Sequence, residues 1–325
     1  MISRRQFVAG GAAAAIGVAS SSANSQAAWP TREIRSICPF PPGNGADVIV
    51  RFYAKLLQER IGKTIIVENR PGAFGNIATE AVARAKPDGY TIGIMAASSQ
   101  LAAAAALFRK LPFDPVNDLD QITTLMKLPF VLIVAGDSPF KSVADLTAHL
   151  REQGDKGSYG SAANTGLVAS ELYKAAAGLK TVEVKYKDPL GMLNDLWAGN
   201  IGFTHLDPVT ILAHLKSGRV RALATSAKDP FQALPNIPSA AQAGIANSDL
   251  IAWWSVAVPK GTPADIKSKL EAAFNDAVSS QEHAKFVADI GCDPFPGNHA
   301  SAHELLVKDI QAWGEYVKLA NIEIM

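Results

Sequence analysis

The chain is poor in the residues that catalysis, metal binding and nucleic-acid binding demand. Only two cysteines, Cys38 and Cys292, occur in 325 residues, and neither belongs to a C-x-x-C pair, so redox and zinc-thiolate chemistry have no framework. A bridge between the two stays open beside two buried thiols, because Cys38 falls in an apolar, strand-like run. There is no G-x-S-x-G nucleophile elbow, and no histidine sits in an identifiable partner context for a hydrolase. His299 and His303 are four apart, but Gly297 and Asn298 mark a helix only beginning there, and no third ligand follows; no metal is expected. An excess of charge of one sign is also lacking: 31 Lys and Arg face 30 Asp and Glu, which implies no basic surface for nucleic acid.

Long hydrophobic runs are missing too. The longest, Val8 to Ala19, has 12 residues against the roughly 20 that span a bilayer. It follows a twin-arginine pattern, Ser3-Arg4-Arg5-Gln6-Phe7, and leads into small residues ending at Ala28. Residues 1–27 therefore read as a twin-arginine-type signal peptide, with a soluble mature chain in the periplasm; an uncleaved anchor is the alternative. With 48% hydrophobic composition and nearly 300 residues, the mature part can bury substantial cores and fits two domains.

The elements alternate along it. Apolar Ile34–Cys38 reads as a strand, and Ile49, Phe52, Tyr53 and Leu56 follow at helical spacing. Between them lies Pro39-Phe40-Pro41-Pro42-Gly43-Asn44-Gly45-Ala46-Asp47. That places a flexible backbone at a helix N-terminus, where unpaired amides and the macrodipole attract an anion, so a carboxylate ligand is the first expectation. A strand at 64–68, a helix at 77–85 and a strand at 90–95 complete a βαβαβ unit, the signature of a parallel sheet covered by helices. Its crevice would be bordered by Gly43 to Asp47, by Asn69 to Asn76 including Phe74 and Gly75, and by Ser98-Ser99-Gln100. The pattern restarts with a strand at 130–135, a capping-box start at Ser142 and the loop Tyr159 to Gly166 before a helix. That loop supplies Ser161, Asn164, Thr165 and Gly166, and Asp207 ends a later strand where it either faces the crevice or caps the next helix. Trp253 and Trp254 read as core and hinge packing.

Six segments in order resemble one family: Pro39–Asp47, Val67–Asn76, Lys86–Ile94, Leu111–Pro115, Ser217–Ala227 and Val258–Pro263. They look like the periplasmic receptors of tripartite tricarboxylate transporters, also called the Bug (Bordetella uptake gene) family. Pro42, Gly43, Gly45 and Asp47 match the first loop, and Asn69, Pro71, Gly72 and Gly75 the second. Phe74 stands where the family usually has glycine, and Ala163 to Gly166 resembles a shorter form of a loop that often carries histidine. The resemblance implies an α/β, two-domain, periplasmic-binding-protein-like fold of the type II, Venus flytrap form, with the ligand cleft between domains. Domain 1 would comprise 28–127 plus 251–325, and domain 2 128–250. The implied role is capture of a small organic carboxylate or amino acid, without a cofactor, by a monomer that delivers it to membrane permease subunits. A ligand-loaded partner of a sensor kinase would need the same receptor. An exported nucleotide-cofactor enzyme is imitated by Gly43-Asn44-Gly45, but Val48 occupies the third glycine position of that fingerprint.

Overall fold

The computed structural model describes residues 29–325; the expected leader lies outside the described residues. The first lobe opens with β1 (Ile34–Cys38), α1 (Gly45–Ile61), β2 (Ile65–Asn69), α2 (Asn76–Ala83) and β3 (Thr91–Met95). In α1, Ile49, Val50, Tyr53, Leu56 and Leu57 recur at helical spacing and are buried, while Asn44 caps the start by accepting the Asp47 N–H at 2.7 Å. A π-helical turn, Ser98–Ala103, and the short α3 (Ala104–Leu107) follow, and β4 (Leu119–Pro129) then carries the chain out of the lobe.

The second lobe contains β5 (Val131–Ala135), α4 (Val143–Gln153), β6 (Ser158–Ser161), α5 (Asn164–Ala177), β7 (Val182–Lys185), α6 (Pro189–Trp197), β8 (Phe203–Leu206), α7 (Pro208–Lys216) and β9 (Val220–Thr225). Ser142 and Asp145 form the capping box of α4. The chain returns on β10 (Ile251–Pro259) and finishes with α8 (Ala264–Val278), α9 (Gln281–Asp289), β11 (Asp293–Pro294) and α10 (His299–Leu319). Among the described residues, no helix is long and apolar enough to cross a membrane.

Two sheets result, ordered β11-β4-β10-β3-β1-β2 and β7-β6-β8-β5-β9. Each is packed on both faces: Ile34, Ile94 and Val256 belong to one cluster of the first sheet, Ile37, Met95 and Trp253 to the other. The expectation of a parallel sheet holds for β1 with β2 and β3, but β10 is antiparallel to both β3 and β4. The reason is topological: β4 leaves the lobe and β10 re-enters it, so the two run in opposite directions. Cys38 and Cys292 are buried free thiols.

Both crossings meet at one residue. Ser226 donates its N–H to the Phe130 carbonyl at 2.7 Å, and its Oγ accepts the Phe130 N–H at 2.9 Å and donates to the Leu250 carbonyl at 2.5 Å. The Leu250 N–H returns to the Ser226 carbonyl at 3.1 Å. Ser226 is buried, so alanine there leaves the Phe130 N–H without an acceptor, and a loss of about 1–3 kcal/mol in urea unfolding is expected. An unchanged midpoint would show that water replaces the hydroxyl.

Candidate functional site

The carboxyl ends of both sheets and the turns beyond them enclose a cavity of about 1000 Å³ between the lobes. Three helix starts face it. Gly45 and Ala46 line it at the head of α1, Asn164 and Thr165 at the head of α5, and Val209 near the head of α7. The first amides of a helix lack intrahelical acceptors, and Ala163, which precedes α5, provides no capping side chain. The cavity therefore receives N–H groups and the positive ends of helix dipoles from opposite lobes. A Cβ on Gly45 would stand 3.6 Å from Val209 Cγ1, so the two lobes nearly touch at this edge.

Four of the expected first-loop residues do not line the cavity: Pro42, Gly43, Asn44 and Asp47. Asp47 is turned away from it and buried, accepting from the Gly43 N–H at 2.8 Å, Arg51 Nε at 2.8 Å and Asn69 Nδ2 at 2.7 Å. Burial alone would push its carboxyl up, but Arg51, the Gly43 N–H and Asn69 together hold it down at about 2. This carboxylate ties the loop to β2 from behind. Gly166 is also absent from the wall. Its missing side chain lets α5 pack on β8, because a Cβ there would lie 2.7 Å from the His205 carbonyl oxygen.

The second loop does reach the cavity, through Pro71, Gly72, Phe74 and Gly75. Gly75 has φ 94°, and a Cβ would lie 2.8 Å from Gln100 Nε2, so both backbone and space require glycine. Phe74 also has positive φ, 57°, in a region that costs a non-glycine residue about 1–3 kcal/mol. Its ring is 69% exposed and meets Phe108 edge-on with centroids 5.8 Å apart. Ser98, Ser99 and Gln100 complete this side, and Gln100 Oε1 is fixed by the Ala96 N–H at 3.1 Å.

In the second lobe, Ser161 lines the cavity and donates to Glu183 Oε1 at 2.5 Å. Asp207 does both things open to it: it lines the cavity and caps α7, accepting from the Thr210 N–H at 2.9 Å and Oγ1 at 2.8 Å. Several wall residues were missed. Glu183, Lys185 and Tyr186 lie at and just beyond the carboxyl end of β7, where the crevice rule could have found them. Both tryptophans are buried in core clusters, Trp253 against Asp309 and Trp254 against Phe40, and Trp254 also borders the cavity. Trp313 and the segment Ala320 to Met325 form a further wall, anchored where Met325 exchanges hydrogen bonds with Leu107 and Arg109. Among the described residues, no histidine, cysteine or arginine lines the cavity.

Two lobes joined by paired crossing strands, with helix starts from each aimed into the gap, define the solute-binding receptors of the Venus flytrap class. Residues 49–322 match the model of a family described as the tripartite tricarboxylate transporter family receptor. The chain belongs to that family. It is 31% identical over 320 residues to a UPF0065 protein in the tcbD-tcbE intergenic region of Pseudomonas sp. strain P51, covering 97% of this chain and 94% of that protein. Among solved structures it is similar to Rpa4515 of R. palustris with adipate, at TM-score 0.78 and 30% identity over 91% of this chain and 99% of that one. MatC from Rhodopseudomonas palustris with bound malate follows at TM-score 0.72 and 25% identity, covering 89% and 100%.

Proposed function

We propose that this protein captures a small carboxylate reversibly in the periplasm and hands it to separate permease subunits of a tripartite transporter. The observation that carries this reading is the pair of helix starts at α1 and α5, one from each lobe, whose first residues Gly45, Ala46, Asn164 and Thr165 line one cavity. The carboxylates named with Rpa4515 and MatC, adipate and malate, agree with it. The expected site residues that line the cavity, Gly45, Phe74, Gly75, Ser98, Ser99, Ser161, Asn164, Thr165 and Asp207, are the candidates for contact. Domain 1 would be 28–127 plus 251–325 and domain 2 128–250, with the Ser226 crossing between them acting as the hinge. The twin-arginine pattern at Arg4-Arg5 supplies the export route. Reversible binding without turnover is the chemistry that a receptor of this family would perform.

A screen of mono- and dicarboxylates including adipate and malate tests this. A ligand at 100 times its dissociation constant should add about 2.7 kcal/mol of stability, and small-angle scattering should show a smaller radius of gyration as the lobes close. The ligand should be recovered unchanged. Conversion of the best ligand would sink the receptor reading, and an unchanged radius at saturation would sink the hinge.

A further inference from the structure

Resting on that receptor reading, we propose that the ligand carries one carboxylate on a flat apolar body, an aryl monocarboxylate, and that Phe74 sets this specificity by covering the body. Beyond the amide ends the wall is aromatic: Phe40, Phe74, Phe108, Phe130, Trp254 and Trp313 all contribute. Phe40 and Trp254 stand 5.7 Å apart between centroids, and Phe74 with Phe108 forms a second aromatic pair. Rings so arranged offer face and edge contacts to another ring.

The charges point the same way. Among the described residues, the charged side chains of the wall are Glu183, Asp207, Glu323 and Lys185, three acids and one base. Lys185 is 3.8 Å from Glu183 and largely exposed, so among the described residues a second carboxylate would meet one solvent-screened cation beside three acids. The same acids would attract an ammonium group, so the choice against a zwitterion rests on the aromatic wall, with Asp207 already accepting from Thr210 and Glu183 from Ser161. Glu323 is exposed.

Phe74 supplies the independent observation. An exposed aromatic ring held at positive φ gains little from its protein neighbours beyond Phe108, yet it lines the cavity. Glycine would adopt this backbone without strain, so the phenyl ring has its use in contact with the ligand.

Calorimetry on the full mature chain decides it, using 3-phenylpropionate, adipate, malate and phenylalanine as probes. 3-Phenylpropionate should bind at least tenfold more tightly than the other three. Phe74→Gly should weaken it at least tenfold, leave adipate within about threefold, and not lower the melting temperature of the unliganded protein. Tightest binding of adipate, malate or phenylalanine would overturn the inference and leave the receptor reading intact, as would a Phe74→Gly variant that binds 3-phenylpropionate normally. A melting temperature unmoved by every carboxylate tried would overturn both.

Discussion

Replacing Asp47 by alanine is expected to lower the unfolding free energy by about 3 kcal/mol and to weaken ligand binding, although Asp47 does not line the cavity. The magnitude follows from what loses its acceptor. Gly43 N–H and Asn69 Nδ2 both donate to this buried carboxylate, and hydrogen bonds to a charged acceptor contribute about 1.5–3 kcal/mol each. Arg51 is half exposed and can turn to water, so the ion pair itself adds little. Binding suffers because the loop from Pro39 to Gly45, which presents the first amides of α1, is tied to β2 through this side chain and through Asn69, which also donates to the Phe40 carbonyl at 2.8 Å. Urea unfolding with calorimetry separates the roles: a variant with full stability and no binding would show that Asp47 touches the ligand directly. Asp47→Asn keeps one acceptor oxygen and should fall between wild type and alanine in both measurements.

That side chain also marks the limit of what the sequence discloses. The loop, the helix start and the strand before it were legible, because apolar Ile34–Cys38 and the spacing of Ile49, Tyr53 and Leu56 are local signals. The direction of Asp47 was only half legible: Gly43 and Arg51 are local partners, but Asn69, 22 positions along the chain, is not. The crevice rule placed the turns after β1, β2, β3 and β6 at the cavity, and applied to β7 it would have added Lys185 and Tyr186. Trp253 and Trp254 are neighbours on a strand and point to opposite faces, so each packs in a different core cluster of a sheet covered on both sides. The wall formed by Ala320 to Met325 had no local signal, because it depends on α10 ending beside α3.

Stability is expected to peak near pH 6.5 and to fall by about 3 kcal/mol by pH 4, and the buried residues fix the sign. His205 is buried with Nδ1 3.0 Å from Ser170 Oγ, and burial pushes its pKa down to about 3. Between pH 6.5 and 4 the unfolded chain takes up a proton that the folded protein refuses. Stability therefore drops as pH falls through that window, by about 1.4 kcal/mol per pH unit for this residue. His283, beside the Tyr53 hydroxyl, acts in the same sense because burial lowers it to about 4. Asp309 acts in the opposite sense. Burial raises it to about 7 although the Trp253 indole N–H favours its ionised form, so between pH 4 and 7 the folded protein holds a proton that the unfolded chain has released. His283 and Asp309 roughly offset one another, leaving the His205 slope. Urea unfolding at half-unit intervals from pH 4 to 7.5 tests this with two variants whose slopes must diverge. His205→Asn should flatten the acid limb, whereas Asp309→Asn should steepen it and remove the decline between pH 6.5 and 7. A flat wild-type profile from pH 4 to 6.5 together with an unchanged slope in His205→Asn would mean that His205 is protonated in the folded state without penalty, against its burial.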